Sequence, residues 1–314
     1  MQFRAALKRY KSPIIDSSRW DTFVPRADDV VVATPQKGGT TWTQGILAHL
    51  VFPDGLTRPV SSISHWLDAR VMPLEPVLTD LETQTHKRFI KTHLPADGVP
   101  LHPEVRYIVV GRDGRDLAMS LWHHYRSFAD ETLIKMRERA MTSPHDGVAI
   151  PRAPDDINTF WHNWTTRGAF DWQQDGWPFW SDLHVMQSWW EQRNESNVLL
   201  LHYADMLADP AFAIAQIADF TNVKIALKRR TQVVEAVSFE AMKKNGETYV
   251  PFGGQAWTGG ADTFFHKGTN GRWKEEITAA NLAAYERAAQ RVLSPACRAW
   301  VTQGRAAWMT SAGA

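Results

Sequence analysis

VVATPQKGGTTWTQGILAHL (residues 31–50) changes character twice along its length. The apolar run VVVAT (30–34) reads as a buried strand, and the segment from Thr40 onward reads as an amphipathic helix. Between them lies Lys37-Gly38-Gly39-Thr40-Thr41. Two glycines let backbone N–H groups converge on an anion without interference from Cβ atoms. The helix start adds unpaired donors and partial positive charge. Lys37 supplies a full charge, and Thr40 and Thr41 supply hydroxyls. The loop therefore predicts an anion site. Its lysine stands ahead of the glycines, however, whereas the nucleotide-hydrolase loop carries it after them.

Further strands and helices follow from the same reading. RFIKT (88–92), RYIVVG (106–111) and NVLLLHY (197–203) have the density of buried strands. Helical patterns lie between them at TTWTQGILAHLVF, GRDLAMSLWHHYRSF, SDLHVMQSWWEQRN and PAFAIAQIADFTN. Apolar strands alternating with helices predict an α/β fold, a central parallel sheet flanked by helices. Two polar stretches, 129–156 and 245–270, read as loops, and long loops inside a compact domain are often functional lids.

The whole chain sets limits. Its 314 residues suit one large domain, and its charged share of 22% is ordinary for a globular protein. A net charge of +1 gives no basis for nucleic-acid binding, so an anion must be held by a local basic cluster. One cysteine, Cys297, precludes an intrachain disulfide and a thiolate metal cluster, and suits a cytoplasmic setting. No apolar run reaches the length of a membrane span, and the N-terminus lacks a signal-peptide core. Fifteen tryptophans stand out, with a concentration around FWHNWTTRGAFDWQQDGWPFW. Core packing is the first expectation for each, and the wall of an apolar pocket is the second.

Three more segments carry candidate chemistry. In YIVVGRDGRDLAMS, Arg112 ends a strand and faces the crevice where α/β folds bind ligands; Ser120 lies about two helical turns on. In FFHKGTNGRWKEE, Lys267-Gly268 suits closure of a flexible loop over a second phosphate. In FIKTHLPADG, Lys91 and His93 follow a strand, and histidine is the natural base near neutral pH. His123, His124 and His162 make no metal set, since adjacent histidines diverge on a helix and no carboxylate completes them.

Together these segments resemble the cytosolic-type sulfotransferases that use 3′-phosphoadenosine 5′-phosphosulfate (PAPS). The family's Pro-Lys-Ser-Gly-Thr-Thr-Trp loop is similar to Pro35-Gln36-Lys37-Gly38-Gly39-Thr40-Thr41-Trp42. Its Lys-Thr-His-Leu-Pro is intact as Lys91 to Pro95, and its Arg followed eight residues later by Ser matches Arg112 and Ser120. Trp189-Trp190-Glu191, Tyr203-Ala204-Asp205-Met206, and Ser238, Phe239 and Met242 resemble later family elements. His266-Lys267-Gly268…Gly271-Arg272-Trp273-Lys274 resembles the closing Arg-Lys-Gly…Gly-Asp-Trp-Lys. The likeness runs in order over about residues 28–285, within a single sulfotransferase-like domain spanning 1–314.

The resemblance implies sulfuryl transfer from PAPS to a hydroxyl or amine, leaving adenosine 3′,5′-bisphosphate (PAP), with no metal. It implies a catalytic set of His93 as base with Lys37, Lys91 and Ser120. Gly38, Gly39, Thr40 and Thr41 would hold the 5′-phosphosulfate, and Arg112, Ser120, His266, Lys267 and Gly268 the 3′-phosphate. Trp42, Tyr203, Ser238, Phe239 and Met242 would enclose adenine. His65 and Trp66, with the Trp-rich stretch after Phe160, are the expected walls for a small apolar acceptor, an aromatic or lipid-like alcohol. Three features depart from the family. Gly38 replaces a serine thought to restrain the lysine, and His266 stands where arginine is usual. A family dimer motif keeps only Lys274 and Thr278, so that dimer is not carried over.

Two other readings compete. A loop-type nucleotide phosphotransferase needs Gly-Lys-Ser/Thr and an acidic Mg²⁺ holder on a neighbouring strand, both lacking here. A sulfotransferase-like nucleotide binder without catalysis is kept open by Gly38 and His266 and opposed by His93 and Lys37.

Overall fold

The computed structural model describes residues 1–141 and 150–307. Four short strands, β1 (Val30–Ala33), β2 (Phe89–Thr92), β3 (Arg106–Gly111) and β4 (Val198–His202), form one parallel sheet in the order β2-β1-β3-β4. The register sets Val32 beside Lys91 and Ala33 beside both Thr92 and Val109. From β1 the chain first adds β2 on one side and then returns to add β3 on the other. The carboxyl ends of β1, β2 and β3 thus meet at a topological switch point, where open α/β sheets bind ligands.

All four residues of β1 are buried, so both faces of the sheet are covered. Alternation sends Val31 and Ala33 to one core and Val30 and Val32 to the other. The second core holds α1 (Thr40–Val51) and α6 (Pro210–Phe220). The first holds α2 (Gly114–Arg126), α4 (Ile157–Thr166), α5 (Asp182–Trp190), α8 (Ala279–Val292) and α9 (Pro295–Gln303). This is the α/β architecture expected from the sequence.

The tryptophans separate the two expectations made for them. Trp161, Trp164, Trp180 and Trp189 are each at most 1% exposed and belong to the first core, so these indoles are packing residues, and it is Phe179 of this stretch that lines the cavity. Two of them instead fix the chain beyond β2: Trp180 Nε1 donates to the His93 carbonyl at 2.8 Å and Trp189 Nε1 to the Leu94 carbonyl at 3.0 Å.

Neither expected loop is wholly irregular. The stretch 129–156 contains α3 (Asp130–Met141), whose Leu133 and Met136, one turn apart, bury a single apolar stripe. The rest of this candidate lid includes 142–149, which lie outside the described residues. Within 245–270 lie the short turns Gly246–Tyr249, Pro251–Gly254 and Gly260–Phe264. They follow α7 (Phe239–Lys244), which Ser238 caps by accepting from the Ala241 N–H. Among the described residues no helix is long and apolar enough to cross a membrane.

Candidate active site

The loop after β1 is held open by local geometry. Lys37 adopts φ 60°, a left-handed conformation that costs a side-chain-bearing residue on the order of 1–3 kcal/mol. Gly39, the residue before α1, has φ 110°, which favours glycine, and a Cβ there would lie 3.0 Å from the Tyr203 ring. No side chain caps α1, leaving the first N–H groups of a twelve-residue helix open to the sheet's carboxyl end. Asp182, at the start of α5, accepts from the Gln36 N–H at 2.9 Å and pins the loop from the other side. Burial pushes the Asp182 carboxyl up to about 8.

A cavity of about 480 Å³ opens beside this loop. Lys37, Gly39, Thr40, Thr41, Trp42, Trp66, Lys91, His93, Arg112 and Ser120 line it, as do Tyr203, Ser238, Phe239, Met242, His266, Lys267 and Gly268. Residues far apart in sequence thus converge as the motif reading expected. Two expectations fail. Gly38 is not part of the lining: its N–H is spent on the Pro35 carbonyl at 3.0 Å, so it cannot serve an anion. A Cβ at Gly38 would lie 2.9 Å from Pro35 Cγ, so a serine would need the turn to shift. His65 also stays outside, because its Nε2 pairs with Asp80 at 2.8 Å; only its carbonyl, accepting from the Lys91 N–H at 2.9 Å, supports the site.

The His93 ring is held in one orientation. Its Nδ1 lies 3.0 Å from the Thr34 carbonyl, an atom that can only accept. Nδ1 therefore carries the ring proton and Nε2 keeps a bare lone pair. Burial, followed by the charges of Lys91 and Lys37, pushes the imidazolium down to about 3, so the ring is neutral at physiological pH. Trp66 meets it edge to face at 4.9 Å. Behind them Asp68, which the sequence did not single out, is fully buried. It accepts from Trp20 Nε1 at 2.7 Å, Trp66 Nε1 at 2.5 Å and Thr92 Oγ1 at 2.6 Å. Burial raises its carboxyl to about 6, while Lys91, which it faces, is pushed down to about 8 by burial.

The cationic side of the cavity is Lys37, Arg112 and the segment 266–272. Lys37 is enclosed by protein while its head faces the cavity; burial, then Arg112 and Lys91, push its ammonium down to about 7. Its Nζ lies 3.4 Å from His124 Nδ1 and 4.1 Å from the centre of the Phe264 ring. Arg112 donates to the Lys37 carbonyl at 2.9 Å and to Asn270 Oδ1 at 3.0 Å, and stacks 4.3 Å over Tyr203. Gly268 has φ 65° and would drive a Cβ to 2.7 Å from Phe239, which explains a glycine in that turn. His266 stacks on His123 at 4.0 Å, and Arg272 Nη1 lies 3.0 Å from His266 Nδ1. His123, His124 and Asn270 were not singled out as site residues in the sequence, whereas Arg272 belongs to the basic FFHKGTNGRWKEE element; they meet because α2 and this segment face each other. The lining also includes the apolar residues Ile14, Val71, Met119, Phe128, Met136, Phe179 and Trp257. Among the described residues no group of three or more His, Cys, Asp or Glu side chains is disposed to hold a metal ion.

Comparison with known proteins supplies the class. A family model described as "Sulfotransferase domain" matches residues 27–296. A glycolipid sulfotransferase of Mycobacterium bovis (strain BCG / Pasteur 1173P2) is 30% identical, with 94% of each chain covered. Sulfotransferase 1 family member D1 of Mus musculus is 27% identical over 86% of this chain and 84% of its own. Among solved structures, a mouse sulfotransferase complexed with PAP has a TM-score of 0.68 at 19% identity, with 99% of each chain covered, and so matches in fold. A retinol dehydratase in complex with retinol and PAP has a TM-score of 0.64 at 23% identity, covering 88% of this chain and 84% of its own. The chain belongs to the sulfotransferase family, and it is an enzyme of that class.

Proposed function

We propose that this enzyme transfers a sulfuryl group from PAPS to the hydroxyl of a lipid-like or aromatic alcohol, with His93 as general base. The observation that carries the reading is the 3.0 Å contact of His93 Nδ1 with the Thr34 carbonyl, which leaves Nε2 free of the ring proton in a residue that lines the cavity beside an uncapped helix start. The residues present fit a bisphosphorylated nucleotide. Trp42 Nε1 and Arg112 Nε are buried with no partner in the protein, and both residues line the cavity. Two solved structures of like fold were determined with PAP.

When bound, PAPS supplies the sulfuryl group and carries the charge that the basic side chains balance. In this reading the Gly39, Thr40 and Thr41 amides hold its 5′ end, and Arg112, Ser120, His266, Lys267 and Gly268 its 3′-phosphate. Trp42, Tyr203, Ser238, Phe239 and Met242 enclose the base. Lys37 and Lys91 meet the charge that moves in the reaction, and His93 Nε2 takes the proton of the acceptor hydroxyl. Such transfers gain chiefly from positioning and electrostatic stabilisation.

The acceptor class rests on the apolar lobe built by Met119, Phe128, Met136, Phe179 and Trp257. Lobes of this kind gain about 25 cal/mol per Å² of apolar surface removed from water. Relatives named glycolipid sulfotransferases support a lipid-like alcohol. The cytoplasmic setting belongs to the proposal and rests on Cys297, a lone and buried thiol. So does the single domain expected over 1–314, supported by the long family match.

Label transfer from ³⁵S-PAPS to a panel of long-chain alcohols, phenols, glycolipids and amines tests the reading. The expected result is labelled lipid-like alcohol or glycolipid. PAP binding without transfer to any acceptor would leave a nucleotide binder, and absence of PAP binding would remove the reading altogether.

A further inference from the structure

We propose that His124, on α2, is a positioning residue for Lys37. This inference deepens the sulfotransfer reading, because Lys37 is one of the two cations which that reading sets against the charge that moves in the reaction.

The geometry is specific. Lys37 Nζ and His124 Nδ1 are 3.4 Å apart, and an ammonium can only donate. His124 therefore offers a bare Nδ1 and carries its proton on Nε2, the opposite tautomer to His93. The imidazole is locked in this role by aromatic contacts on several sides: Phe128 at 5.3 Å, Trp257 at 5.0 Å and Phe264 at 5.5 Å. Phe264 also lies under the Lys37 ammonium at 4.1 Å, so one aromatic ring touches both partners. His124 is held well below the ordinary histidine range, by burial first and by Lys37 next, and stays a neutral acceptor.

Gly38 bears no hydroxyl, and the 2.9 Å approach to Pro35 Cγ leaves no room for one without a shift. The charged and titratable groups around Lys37 are Arg112 at the end of β3, Lys91 and His93 at and beyond the end of β2, His124 on α2, and His266. None is an anion, so the His124 lone pair is the polar acceptor that favours the protonated lysine. Phe128 and Trp257 also line the apolar lobe, so the same contacts couple the donor lysine to the acceptor side.

The test uses two variants. His124→Phe keeps an aromatic side chain in an aromatic box and deletes the acceptor. His124→Asn restores an acceptor oxygen at the distance of Nδ1 from the backbone. NMR of isotope-labelled lysine side chains in the ligand-free protein reads Lys37 directly, with Lys37→Met assigning the signal. The expected pKa of Lys37 falls by about one unit in His124→Phe, from the loss of a hydrogen bond to a charged group. It returns towards wild type in His124→Asn. The basic limb of the kcat/KM profile for sulfate transfer moves to lower pH by the same amount in His124→Phe only. A merely structural role would lower activity in both variants without moving the limb. An unchanged Lys37 pKa in His124→Phe, or equal shifts in both variants, overturns the inference. If the NMR shift occurs while wild type transfers no sulfate, the positioning role stands and the proposed function falls.

Discussion

The charged and the apolar residues that line the cavity are set in place by different rules. The charged set sits on strand termini: Lys37 after β1, Lys91 and His93 at and beyond the end of β2, and Arg112 after β3. A parallel sheet brings those termini together whatever their side chains, so short local motifs suffice to announce the site. The apolar set is assembled from Ile14, Val71, Phe179 and Trp257 with residues of α2 and α3, segments that share no periodicity. One region is fixed by topology and the other by packing. The first is therefore legible in short motifs, and side chains can drift at the second without disturbing it.

The largest effect that could break this division is at His93. His93→Ala should lose about 10²–10⁴-fold in kcat while PAP binding by calorimetry stays within twofold. Near-wild-type turnover would end the base assignment.

A crossed pair sharpens the comparison. Arg112→Ala should weaken PAP about 10- to 100-fold, with no change for a nucleotide lacking the 3′-phosphate. Met136→Ala should leave PAP binding unchanged and raise KM for a lipid-like alcohol several-fold, roughly the worth of the apolar surface it presents. If each variant impaired both ligands equally, the two sets would not be separable.

The smallest expected effect is on pH. Burial and the charges of Arg272 and Lys267 lower the pKa of free His266, so the ring is neutral in the empty site near pH 7. A phosphate beside it favours the imidazolium, so binding takes up a proton and tightens as pH falls. PAP affinity should rise about three- to tenfold between pH 8 and pH 6, with Lys37 and Lys91 contributing beside His266, and His266→Arg should reduce that slope without abolishing it. Calorimetry in buffers of different ionisation enthalpy counts the proton. No proton uptake in wild type would detach His266 from the phosphate.

Legibility followed the same line. The four strands and the helices that follow them were readable because apolar runs and glycine turns are local signals. His65 misled because its neighbour Trp66 does line the cavity, whereas its own ring is drawn to Asp80. Gly38 misled because a glycine in an anion loop suggests a free N–H, and this one closes the turn on Pro35. The tryptophans after Phe160 gave two expectations that only burial could separate. Asp68 and His124 had no motif to mark them. Their roles exist only across β2 and α2, where a carboxylate meets indoles and an imidazole meets a lysine.

The most direct test of the central claim is diffraction from crystals soaked with PAP and a lipid-like alcohol. The account predicts the 5′-phosphate on the Gly39–Thr41 amides and the 3′-phosphate on Arg112. It also predicts the alcohol oxygen within hydrogen-bond distance of His93 Nε2, with its chain against Met119 and Met136. PAP bound elsewhere, or an alcohol seated away from His93, would contradict it.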